Sequence, residues 1–290
     1  MEPLPSIRTW GPDRVDRLAP SGTATRAPER RHGNRGYPER RATIWHMSLT
    51  ADAHKPVNST RSGVRLAWYV HLFTTSGVVV GMLALEAVFQ NKAKQAMWFL
   101  LLTQVIDGID GPMARQYDVK ERVPKIDGYV LDLVIDFVTC VVVPAAFIHR
   151  FELLPDRFSL ALVGVIVFMS AIWFSRTDMM TEDNWFNGFP AVWNLVGPTM
   201  LLLGTNQWVN AGIVVVLSVL MLTDVKFPHP VRAGEGRNIT LPVIIIWLVA
   251  LTWATQRFPT PSNIGRGLLI AAVAYFAGLS VWRTRRKPRS

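Results

Sequence analysis

Cysteine is almost missing from these 290 residues. The single Cys140, set in an apolar run, excludes an intrachain disulfide and a cysteine metal site and reads as a small buried hydrophobe. Acidic side chains are scarce beside basic ones, 21 against 31, which leaves a formal charge of +10. No apolar run occurs before Leu66, so the N-terminus is not a signal peptide. Residues 1–65 lack apolar periodicity and are rich in Arg, Pro, Ser, Thr and Gly; they read as a disordered basic arm, with Met47 as an alternative start. Twelve of the Lys and Arg lie in that arm without aromatic interleaving or a folded basic module. Nucleic acid is therefore not expected as a partner, and membrane topology with anionic lipid accounts for the charge.

Apolar residues, by contrast, make up half the chain, eleven Trp are present, and the mean hydropathy is positive despite the charge. That combination predicts a multi-pass membrane protein with basic loops. About eight apolar segments follow one another at 66–89, 95–113, 128–149, 158–177, 189–205, 208–224, 239–256 and 266–283. Most approach the roughly 20 residues a bilayer requires. The fifth and sixth are short, and the sequence also allows one bent, re-entrant pair there. The expected architecture is an all-α integral membrane domain over 66–283, followed by a basic tail, 284–290. With both termini in the cytoplasm, 25 Lys and Arg fall inside and six outside, as the positive-inside rule requires.

Four aspartates interrupt this apolar pattern. Asp107 and Asp110 are three residues apart, and Asp132 and Asp136 are four apart, so each pair lines one face of its helix. A carboxylate at the centre of a membrane helix costs about 2.5 to 3.5 kcal/mol, so four on neighbouring spans call for a countercharge. Hard oxygen ligands suit Mg²⁺ or Mn²⁺, ions that commonly clamp a phosphate. Gly111, Ala114 and Gly128 leave room beside those faces for a close backbone or a ligand. The topology puts all four aspartates at cytoplasmic helix ends, where one substrate can arrive from the bilayer and another from water.

The run Asp107-Gly-Ile-Asp110-Gly111-Pro-Met-Ala114-Arg115, followed by Gly128-Tyr-Val-Leu-Asp132-Leu-Val-Ile-Asp136, resembles the signature of the CDP-alcohol phosphotransferase family, with every fixed position present. The spacer, residues 116–127, is longer than usual and looks like that of the bacterial phosphatidylcholine synthase branch. His71–Gly77, Val119–Pro124, Thr181–Asn194 and Val225–Arg232 point the same way, and the resemblance covers about residues 62–285. It implies a six-helix core with two added C-terminal spans in the bacterial inner membrane. Its substrates would be CDP-diacylglycerol and choline, with Mn²⁺ or Mg²⁺ as cofactor. Carried over, Asp107, Asp110 and Asp132 are metal ligands, and Asp136 is a ligand or the base that activates the alcohol. Gly111, Ala114, Arg115 and Gly128 border the nucleotide and pyrophosphate. A homodimer is left open.

Choline carries a quaternary ammonium, which aromatic faces and nearby carboxylates can hold. The stretch Trp173–Trp193 supplies Trp173, Trp185 and Phe189 with Glu182 and Asp183 as candidates, although an interfacial aromatic belt would look alike. His71, His229, Glu86, Lys226 and Arg232 are weaker candidates. Two other readings stand beside this one: the same transfer to serine, glycerol phosphate or inositol phosphate, and an ion-coupled transporter whose aspartates relay ions.

Overall fold

The computed structural model describes residues 61–229 and 237–286. Most of the basic arm, Arg232 and the last four residues of the tail lie outside the described residues. Every apolar segment read from the sequence falls on helix. The first is α1 (Arg61–Phe89), which opens at Arg61 rather than Leu66, and the second is α2 (Ala93–Gln116). A one-turn helix, α3 (Val119–Arg122), lies within the spacer. Its Val119 and the following Val123 are buried with Ala67 and Val70 of α1, so the spacer is packed rather than loose.

The third span is continuous helix from Gly128 to Arg150, but its middle is wound differently. α4 (Gly128–Asp136) leads into a π-helical turn, Phe137–Val142, and then α5 (Val143–Arg150). Two features loosen the usual ladder there. Pro144 brings no N–H, and the Thr139 hydroxyl donates to the Ile135 carbonyl at 3.1 Å. At its start, the Asp127 carboxylate caps α4 by accepting from the Tyr129 and Val130 N–H groups.

The remaining helices are α6 (Asp156–Phe174), α7 (Trp193–Leu203), α8 (Gln207–Leu220), α9 (Arg237–Gln256) and α10 (Asn263–Arg285). Five of the helical stretches are long and apolar enough to cross a bilayer, which makes this a multi-pass membrane protein. α2 has the length but carries Lys94, Asp107, Asp110 and Arg115. α7 is short and mostly buried, with Trp193, Asn194, Leu195 and Met200 among its covered residues. Gly204 at φ +64° ends α7, and the Asn206 side chain caps α8, so the fifth and sixth segments are separate helices meeting at a tight turn.

The helical expectation needs one addition and, beside the earlier start of α1 and the earlier ends of the fourth and sixth segments at Phe174 and Leu220, a later start for the fifth. Residues Trp185–Asn187 (β1) pair antiparallel with Lys226–Pro228 (β2), Trp185 opposite Pro228 and Asn187 opposite Lys226. The fifth segment therefore becomes helical only at Trp193, because Gly188 at φ +82° and Ala191 at φ +55° turn the chain first. The Gly188 N–H donates to the Val225 carbonyl (2.9 Å) and the Phe189 N–H to the Leu220 carbonyl (3.3 Å), seating this turn on the end of α8. The end of α10 closes over the ribbon: the Lys226 N–H donates to the Thr284 hydroxyl at 2.8 Å.

Gly188 gives a direct test of this seat. A Cβ there would lie 2.4 Å from the Met221 carbonyl oxygen, in a conformation that costs an L-residue about 1 to 2 kcal/mol by itself. Gly188→Ala should lower the melting temperature in detergent by several degrees. Gly212→Ala, in open space on α8, should leave it unchanged or raise it slightly.

Candidate functional site

Three helices bring the aspartates together. Asp107 and Asp110 stand on α2, Asp132 and Asp136 on α4, and α1 packs across both. What permits the close approach is a pair of glycines on α1, four residues apart. A Cβ on Gly77 would lie 3.4 Å from Ile135 Cγ2 and 3.6 Å from Ile106 Cγ2, and one on Gly81 only 3.0 Å from Thr139 Cγ2. Asp136 is the last α-helical residue before the π turn, so the change of winding falls directly behind it.

The result is a small cavity lined by Thr74 and Gly77 of α1, by Asp107 and Asp110, by Asp132 and Asp136, and by Thr103 and Thr139. Asp107, Asp132 and Asp136 each present one oxygen, all within 4.8 Å of one another. Ligands bound to one ion at about 2.0 to 2.6 Å fall within such a spread, so the donor set fits a hard divalent cation. Asp110 lines the same cavity but stands apart from that trio, facing the Thr74 hydroxyl and the Gly111 N–H. Of the four expected metal residues, the structure thus groups three closely and places the fourth beside them.

The other residues of the motif, Gly111, Ala114, Arg115 and Gly128, do not line this cavity. Arg115 turns back along α2, its Nη1 3.5 Å from where a Gly111 Cβ would be, and Ala114 packs with the buried residues under α3. Gly128 lies beside His71: a Cβ would come 3.5 Å from the imidazole Cε1. His71 itself is buried, with no protein hydrogen bond to its Nε2.

Two site residues were not singled out in the sequence. Gln104, one turn before Asp107, donates from Nε2 to Asp107 Oδ2 at 3.1 Å. Asn194, at the start of α7 and 1% exposed, donates from Nδ2 to Gln104 Oε1 at 2.9 Å. Their signal was slight: one amide in an apolar stretch of α2, another at the end of the aromatic segment.

The choline candidates are placed differently from the aspartates. Trp173, Trp185 and Phe189 are all buried. Trp173 meets Phe174 and Phe186 edge-on and donates its indole N–H to the Asn187 carbonyl at 2.8 Å. Phe189 packs on Trp193 and Phe227. One face of Trp185 carries the Arg283 guanidinium, 5.4 Å from the ring centre, and Arg283 also pairs with Asp183. Glu182 is exposed. Burial would raise the Asp183 pKa, but hydrogen bonds from Thr181 and Arg283 outweigh it and hold the carboxyl below its ordinary range. Asp178 is lowered too, chiefly by its two 2.8 Å hydrogen bonds from Arg176. Among the weaker candidates, His229 stacks on Phe186, Lys226 reaches the Asn187 side chain, and Glu86 accepts from Gln90.

The tight crossing at Gly81 generates a test. Gly81→Val must push α1 away from Thr139, and with it the wall of the carboxylate cavity. Mn²⁺ binding to the protein in detergent micelles is expected to weaken at least about 10-fold while the protein still inserts.

No protein-family model matches the chain. Curated relatives do. The phosphatidylcholine synthase of Pseudomonas aeruginosa is 42% identical over 234 residues, 80% of this chain and 98% of that protein. Those of Rhizobium meliloti and Borreliella burgdorferi are 37% and 33% identical over 70% and 76% of this chain, and 85% and 94% of their own lengths. With that coverage, reaching across the aspartate cluster and the helices that carry it, the chain belongs to the phosphatidylcholine synthase family.

Proposed function

We propose that this chain transfers the phosphatidyl group of CDP-diacylglycerol to choline, giving phosphatidylcholine and CMP, with a divalent ion held by its aspartates. The observation that carries this reading is the convergence of Asp107, Asp132 and Asp136 within 4.8 Å in a chain of this family. Asp107, Asp110 and Asp132 serve as the metal-holding carboxylates and Asp136 as ligand or base. Mn²⁺ and Mg²⁺ both suit three or four carboxylate oxygens. When bound, the ion neutralises charge on the pyrophosphate and on the attacking and leaving oxygens.

The protein's own groups then do the positioning. The choline oxygen attacks the phosphorus that bears diacylglycerol, the bond from that phosphorus to the CMP oxygen breaks, and the hydroxyl proton passes to Asp136. Gly111 and Gly128 leave space for the nucleotide and pyrophosphate, and Arg115 supplies a cation at the rim. The long apolar helices cross the inner membrane with both termini cytoplasmic, α7 and α8 entering it as a pair, so the cluster opens at the cytosolic headgroup level; the loop charge supports this orientation.

Choline is the acceptor because the relatives are named as phosphatidylcholine synthases, whose product carries a choline headgroup, and because the Trp173–Phe189 segment has the chemistry to hold a cation. Trp185 and Asp183 already hold one, Arg283. Phosphorylated acceptors would call for a further basic cluster at the site.

Two measurements test this. Asp107→Asn and Asp132→Asn should each lower CDP-diacylglycerol-dependent choline incorporation by about 100-fold or more and abolish its activation by Mn²⁺ or Mg²⁺. Near-normal, chelator-insensitive activity would overturn the metal assignment. For the acceptor, choline takes the place of Arg283 over Trp185; one cation-aromatic contact is worth about 0.5 to 2 kcal/mol, so Trp185→Leu should raise the choline KM by about 2- to 30-fold with little change in the KM for CDP-diacylglycerol. Glu182→Gln should act in the same direction, less so at high salt. If serine or glycerol phosphate proves the better acceptor, the choline reading fails and the transfer chemistry survives.

A further inference from the structure

Asn194 closes the aromatic segment that the choline reading draws on, yet its amide points elsewhere. It is 1% exposed and reaches from α7 to α2, where Gln104 passes its hydrogen bond on to Asp107. We propose that Asn194 and Gln104 form a partly buried positioning relay that fixes Asp107 in the cation-holding trio. This rests on the metal reading of that trio.

The polarity of the relay follows from its end. An ionised carboxylate only accepts, so Gln104 must turn Nε2 toward Asp107 Oδ2. Its Oε1 then faces away and needs a donor, and Asn194 Nδ2 at 2.9 Å is that donor. Both amides are thereby locked in one orientation. The hydrogen bond at Oδ2 fixes the plane of the Asp107 carboxylate while one of its oxygens stands within 4.8 Å of those of Asp132 and Asp136. Outer hydrogen bonds of this kind orient ligating carboxylates, and their loss typically weakens metal binding by about 10- to 100-fold.

Asn194 is itself firmly placed. Its neighbour Trp193 is fully buried, and the Trp193 indole N–H donates to Ser170 of α6 at 3.1 Å. Upstream, Gly188 and Phe189 hydrogen-bond to Val225 and Leu220. The aromatic segment thus sets the position of a metal carboxylate through α7, in addition to any contact with the acceptor. A helix-to-helix packing role alone would not require the amide chain to end on Asp107.

The test is Mn²⁺ binding to the full-length protein in detergent micelles, followed by electron paramagnetic resonance, with melting temperatures in EDTA measured alongside. Gln104→Met and Asn194→Leu are each expected to raise the Mn²⁺ Kd about 10-fold, and the double variant to do no worse than either single one, since both break the same chain. Asn194→Asp keeps the volume of the side chain but cannot donate. Gln104 then faces a carboxylate on each side, and the Kd should rise at least as much. An unchanged Kd in Gln104→Met, or in the folded Asn194 variants whatever their melting temperatures, overturns the relay, as do effects that multiply in the double variant. If the unsubstituted protein shows no saturable Mn²⁺ binding, the metal reading falls and takes the relay with it; if only the variants behave like wild type, the relay alone falls.

Discussion

Keeping several carboxylates side by side among apolar helices is the constraint to which the rest of this structure answers. Each would cost about 2.5 to 3.5 kcal/mol at the centre of an isolated membrane helix, and their mutual repulsion adds to that. A single amide or threonine hydroxyl cannot offset such a sum. Convergence makes it tolerable: three oxygens within 4.8 Å can share one divalent charge, which four scattered aspartates could not do. The i, i+3 and i, i+4 spacings put the carboxylates on facing stripes of α2 and α4, and α1 closes the third side.

Convergence in turn demands that backbones come close. Gly77 and Gly81 remove side chains from α1 where Ile106, Ile135 and Thr139 press against it. The π turn after Asp136 acts on the same joint. One extra residue per turn alters the azimuth of everything downstream, so α5 can bury Phe147 and Ile148 in the main core while α4 keeps its aspartates toward α2. A straight α-helix through this span would have to choose one face for both tasks.

Most of the helical framework was legible because a bilayer imposes a strong, simple signal, and all eight apolar segments fall on helix. The aspartate cluster was legible for a related reason: carboxylates are conspicuous in apolar sequence and their spacing fixes a face. The ribbon was not. Three residues in each strand carry too little pattern to distinguish Trp185–Asn187 from the start of a helix, and of Asn184, Gly188 and Ala191, all at positive φ there, Gly188 is the one glycine. The aromatic segment was ambiguous in another way, since Trp and Phe near a membrane interface suit a cation cage, a lipid belt or a core equally well. In the structure Trp173, Trp185 and Phe189 are covered largely by the protein's own groups, Arg283 among them. Gln104 and Asn194 escaped notice because a lone amide announces nothing until its partner, 90 residues away in sequence, is in place.

The loop between α6 and α7 joins these threads. Arg176 grips Asp178 and also donates to the Met221 carbonyl, which ties the end of α6 to the end of α8. Arg283 reaches Asp183 and the face of Trp185, tying in α10. Exposed ion pairs are individually worth little, roughly 0 to 1 kcal/mol, so these contacts alone would not hold a loop still. They act on a segment already anchored by buried Trp173, Trp185 and Trp193 and by the backbone hydrogen bonds of the ribbon. Rigidity therefore runs from the aromatic anchors into α7 and from Asn194 to Gln104, so the least helical part of the described chain is physically continuous with its most demanding electrostatic site.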